Sequence, residues 1–132
     1  MRCLVPIVAT VACAGSDVAV RDLTVTVADR ADAEGRLVEV RLFAEDAELG
    51  TDAPIAAEAA VVADSGVSVV FPASVSEGES YVVAAWLDAS DDLRCQDDEP
   101  GWLVPIGPVE ASPVVVLDAS EADATVCLAF RP

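Results

Sequence analysis

The stretch DASDDLRCQDDEPG, residues 88–101, gathers six carboxylates, one arginine and one cysteine. Residue types this dense in oxygen suggest two chemistries. Counted from Asp88 as position 1, Ser90 falls at 3, Asp92 at 5, the Arg94 carbonyl at 7, Gln96 at 9 and Glu99 at 12. That is the spacing at which an EF-hand loop wraps oxygen ligands around calcium, and a divalent ion would relieve repulsion among the acids. Two departures count against it. Leu93 stands where the sharp turn needs glycine, and the flanks read as a strand before and Pro-Gly after, not as two helices. The other chemistry is glycosidic hydrolysis, which needs two carboxylates facing across a cleft, one with a raised pKa. Asp97, Asp98 and Glu99 are adjacent in sequence, and aromatic residues make up only 5% of the chain. Trp86 and Trp102 flank the loop, as a small platform or as packing beneath it. The plain alternative is a solvated loop tied down through Cys95. Ordered by physical fit, the loop is a staple first, a calcium candidate second and a catalyst third, and no residue is assigned a catalytic role.

Composition narrows the field further. The net charge is −17, all seven basic residues are arginines, and Lys, Asn and His are absent. A GC-rich genome produces this bias, as does adaptation to salt; arginine has not risen to offset the acids, which favours the first. So acidic a chain repels nucleic acid and anionic membranes, having nothing to neutralise a row of phosphates. Without histidine it lacks the commonest general base and zinc ligand, and no Ser-His-Asp or Cys-His nucleophile can form within it. Without asparagine it has no N-glycosylation acceptor. The 132 residues, 54% of them apolar, suffice for one domain with a modest core.

The beginning of the chain bears on compartment. MRCLVPIVATVACAGSD opens with one positive charge, continues through the apolar run Cys3–Cys13 and ends in small residues. The run is too short to span a bilayer and reads as a signal segment, residues 1–14, ahead of a domain over 15–132. Two processing readings stay open. Cys13 sits behind small residues as a lipid-modified cysteine would, although Thr10 stands where leucine is usual; alternatively Ala12–Ala14 is an A-x-A-like site that frees Gly15. A first strand over Leu4–Ala9 is the competing reading, which Pro6 opposes. With Cys3 removed and Cys13 lipidated or lost, Cys95 and Cys127 remain, and an even pair in an exported chain reads as one disulfide. The alternative is two buried thiols in a cytosolic protein.

The elements that position these residues read as short strands. VAVRDLTVTVA (18–28) changes parity between Val18/Val20 and Leu23/Val25/Val27, which predicts a bulge near Arg21–Asp22. RLVEVRLF (36–43) alternates as a half-buried strand. The segment 55–66 is Ala-rich and ambiguous, read as a strand from its neighbours. VSVVF (67–71) is a strand stopped by Pro72, and SYVVAAWLD (80–88) is apolar on both faces, as in a central strand. WLVPI (102–106), PVVVLD (113–118) and ATVCLAF (124–130) complete the set, and 28–35 and 45–54 read as polar loops. Seven to eight strands in this length predict an all-β fold, a single antiparallel β-sandwich such as the immunoglobulin-like one. The expected core is Leu23, Val25, Val27, Val38, Val40, Leu42, Val69, Phe71, Tyr81, Val83, Ala85, Val114, Val116, Val126, Leu128 and Phe130. Cys127 then faces outward, and Cys95 belongs to a loop folded over that outer face.

The run GVSVVFPASVSEGESYVVAAWLDASDD resembles the middle of secreted bacterial prealbumin-like (transthyretin-like) domains, through Gly78, Tyr81, Val83 and Asp88. The match spans residues 66–92. The resemblance implies a binding or structural module, often carried on exported lipoproteins, and supplies no catalytic residues. The signal-like start and the cysteine pair lead us to expect export to the cell envelope, periplasm or exterior, in agreement with the resemblance. Its partner there would be a protein or envelope component, and membrane contact would come only through a lipid on Cys13. No cofactor is expected beyond calcium.

Overall fold

The computed structural model describes residues 18–117, 121–122 and 125–131; the expected signal segment, with Cys13, lies outside them. Eight strands follow in order: β1 Val20–Val27, β2 Leu37–Ala44, β3 Ala56–Val61, β4 Val67–Ser76, β5 Tyr81–Leu87, β6 Pro100–Ile106, β7 Val114–Leu117 and the two-residue β8 Glu121–Ala122. They form two sheets, ordered β4-β1-β7 and β3-β2-β5-β6-β8. The protein is a β-sandwich. Its core lies between the sheets and includes Leu23, Val25 and Val27 of β1, Val38, Val40 and Leu42 of β2, Phe71 of β4 and Val83, Ala85 and Leu87 of β5.

The parity change in β1 marks a real irregularity. Arg21 faces Val75 while Leu23 faces Phe71, so the register shifts between them. The Asp22 carboxylate fills the break by accepting the Ala73 N–H at 2.8 Å, where Ala73 adopts φ +49°. Pro72 does not end β4 as its sequence suggests. It sits in this bulge on a strand paired only with β1, and a proline that donates nothing is tolerated at an edge.

Two further expectations need correcting. Val114 and Val116 face solvent, 66% and 56% exposed, while Leu117 turns inward. The run Val114–Leu117 has no alternation of its own, so its faces follow from pairing with β1, and that pairing is parallel, unlike the others. Residues 126–130 are not a strand. Val126–Phe130 form a 3-10 helix, burying Val126 and Ala129 while Leu128 and Phe130 are half-buried. A three-residue turn brings positions i and i+3 together, so the pattern V-C-L-A buries its first and fourth members.

This helix covers the face of the five-stranded sheet that points away from the core. Phe43, Ala84 and Ala129 form a second small cluster there, flanked by Ala47, Leu49, Leu103 and Phe130. The helix reaches the sheet because β6 carries glycine at 101, where an added Cβ would lie 2.8 Å from a Val126 methyl. Gly101→Ala is expected to destabilise the protein by about 1–3 kcal/mol through overpacking. In a chemical-denaturation double-mutant cycle, Val126→Ala should remove much of that cost; strictly additive effects would show that the two do not meet.

Candidate functional site

The acidic loop connects the centre of the five-stranded sheet, leaving β5 at Asp88 and entering β6 after Glu99. Asp88 still belongs to the ladder, its N–H donating to Leu37 O at 2.9 Å. Its side chain is wholly buried and Glu99 is 5% exposed. Burying carboxylates is costly unless donors meet them, and the loop is organised to do that. Asp88 Oδ2 accepts the Leu93 N–H at 2.7 Å, and Oδ1 accepts that of Asp92 at 3.3 Å. Glu99 Oε1 accepts the Trp86 indole N–H and the Gln96 N–H, both at 2.9 Å. Its Oε2 accepts the Ser90 N–H at 2.9 Å and the Ser90 hydroxyl at 3.0 Å. Asp92 accepts the Arg94 N–H at 3.1 Å and the Gln96 side-chain amide.

All five side chains expected to ligate calcium are thus brought together, and oxygens of Asp88, Asp92 and Glu99 lie within 4.8 Å of one another. Their roles differ from those in the calcium register. Ser90 and Gln96 act as donors to acids, and Glu99, the residue placed for bidentate ligation, spends both oxygens on four hydrogen bonds. Leu93, at the position that asks for glycine, adopts φ +60°, with Asp91 at φ +61°. The loop therefore makes the tight turn with a strained leucine whose N–H is held by Asp88. Convergent N–H groups supply here the positive charge density that a cation would supply.

Burial alone would raise the Glu99 pKa, but the Ser90 N–H, the Trp86 indole, the Gln96 N–H and the Ser90 hydroxyl outweigh it, holding the carboxyl below its ordinary value. Asp92 is likewise lowered, first by the Ser90 hydroxyl and then by the Arg94 N–H. A general acid needs the opposite shift. Trp86 and Trp102 share no platform: Ala85 faces Trp102 and Trp86 faces Gly101 across the β5–β6 pair. The pleat consequently sends Trp102 into the main core and Trp86 to the outer face.

The second anchor is the Cys95–Cys127 disulfide, with Cα atoms 5.4 Å apart. It joins the loop to the C-terminal 3-10 helix, so the expected staple exists, though its far end is a helix and not a strand. Arg41, on the outer face of β2, secures the same helix. Its guanidinium donates to Glu39 at 2.8 Å and to Ala129 O at 2.9 Å, and lies 5.0 Å from the Phe130 ring centroid. Trp86 meets Phe130 with ring centroids 5.8 Å apart.

Between the loop and the helix lies a groove of about 630 Å³ whose lining includes Arg41, Arg94 and Arg131. No local pattern marks these three residues as neighbours, since they come from β2, the loop and the chain end. Comparison with family models, curated proteins and solved structures finds no match to this chain.

Glu99→Gln keeps the shape but turns an amide donor toward other donors. It is expected to cost about 1–3 kcal/mol at neutral pH, the range for buried donors left without acceptors. Because the folded pKa lies below the unfolded one, near 4.5, this stabilisation is complete above that pH and is lost as pH falls through the folded value. Denaturation curves of the two proteins should converge in acid; a gap independent of pH would remove Glu99 from the acid transition.

Proposed function

We propose that the chain is an exported β-sandwich module of the cell envelope, with a binding or structural role and no catalytic chemistry. The observation that carries this reading is the Cys95–Cys127 bond, which closes a separation of 32 residues and ties both outer coverings of the sheet together. Such bonds persist in oxidising compartments and are rare in the cytosol. The signal-like segment 1–14 agrees with that compartment, and lipidation of Cys13 would anchor the module. Gly78 turns the chain at φ +87° between β4 and β5, ahead of the buried Tyr81 and Val83. That arrangement suits the prealbumin-like reading, which adds a binding role.

A calcium-stabilised module is the second reading, favoured by the convergence of Asp88, Asp92 and Glu99. The side chains do not fit it well, because a cation would have to displace the N–H donors already bound. A carboxylate hydrolase ranks third, given the lowered pKa of Glu99.

Expression of the full-length chain with cell fractionation and thiol labelling tests the proposal. The expected product is in the envelope or exterior, without labelled cysteine at 95 or 127; a reduced cytosolic product overturns it. Reduction, or Cys95→Ala with Cys127→Ala, should cost about 3–4 kcal/mol by loop-closure entropy. Added calcium should leave the Tm of the oxidised protein unchanged, whereas a clear rise would promote the second reading over the first.

A further inference from the structure

Acids outnumber bases 24 to 7, so any arginine on this surface has carboxylates to choose from. Three of the seven nevertheless line one groove, beside the disulfide on the outer face of the five-stranded sheet. Arg41 is fixed there by Glu39 and the Ala129 carbonyl. Arg94 and Arg131 make no ion pair and no side-chain hydrogen bond among the described residues. Among the described residues the three guanidiniums share the groove with two carboxylates, Glu39 and Asp97, leaving one excess positive charge. Its remaining surface is apolar. Phe130 and Leu93 both line it, and Leu93 stands 71% exposed at φ +60°.

Resting on the binding-module reading above, we infer that this groove binds a small organic monoanion: a carboxylate with an apolar body. Guanidinium forks grip a carboxylate through paired, charge-assisted N–H bonds, and those of Arg94 and Arg131 meet no carboxylate among the described residues. The body lies against Leu93, Phe130 and the disulfide. About 630 Å³ is the size of a small-molecule cleft. A single excess charge selects a monoanion, and the net charge of −17 excludes polyanions from the surroundings.

The test is a titration of the oxidised full-length protein with hexanoate, followed by amide and indole NMR shifts. Binding is expected with a dissociation constant on the order of 1 mM, reasonable for a ligand of this few atoms. The shifts should centre on the Trp86 indole and residues 93–95 and 127–131, and leave the Trp102 indole of the core unmoved. Acetate, lacking the body, and hexylamine, lacking the anion, should each shift these signals far less. The double variant Arg94→Ala/Arg131→Ala should keep the wild-type Tm, both side chains being exposed, and weaken hexanoate by about tenfold or more. No shift at saturating hexanoate, shifts scattered away from the groove, or equal binding by the folded double variant overturns the inference. A null titration of an exported, oxidised protein sinks the groove alone; a reduced cytosolic product sinks the module reading.

Discussion

Strand β5 has no face to give to water. Val83, Ala85 and Leu87 turn toward the opposing sheet, while Ala84 and Trp86 turn the other way and are buried as fully. An antiparallel sheet ordinarily satisfies the hydrophobic effect with one covered face and leaves the other polar. Here the central strand demands a second cover, and the three-stranded sheet can supply only the first. Everything distinctive on the outer side answers that demand: the C-terminal 3-10 helix, the acidic loop and the bond between them.

The second cover is intrinsically weak. A five-residue helix has no stability of its own, and a loop dense in carboxylates repels itself. Several local contacts hold the helix. Val126 enters the space that Gly101 leaves, Arg41 binds the Ala129 carbonyl, and Phe130 packs against Trp86. The loop is held by turning its acids inward onto its own N–H groups, and Glu99 links it to the sheet through the Trp86 indole. Trp86 thus touches both covers, loop by hydrogen bond and helix by ring contact. The disulfide then makes the two covers one unit.

A cover assembled from two such pieces does not close perfectly, and the groove is the seam between them. Its arginines are there partly for structural reasons: Arg41 caps the helix end, and Arg94 follows the Asp92 turn. Two of the three, Arg94 and Arg131, make no ion pair among the described residues, and the proposed binding of an anion rests on them.

The local pattern of side chains decided much about this protein. Alternation placed Val38, Val40 and Leu42 on one face of β2, a parity change located the bulge at Arg21–Asp22, and an apolar run on both faces marked β5 as central. Elimination paired Cys95 with Cys127. Spacing brought Asp88, Ser90, Asp92, Gln96 and Glu99 to one place, but spacing cannot tell whether converging oxygens meet a cation or N–H donors. Only the tertiary structure decided that the loop amides fill this role, because φ at Asp91 and Leu93 aims them inward. It also decided that Val114 and Val116 face water, that 126–130 coils instead of pairing, and that Trp86 and Trp102 part to opposite faces. A side-chain period of two says which residues share a face, whereas the partner strand and its register say where that face points. The groove was least legible of all, since Arg41, Arg94 and Arg131 become neighbours only when the chain end folds back over β2.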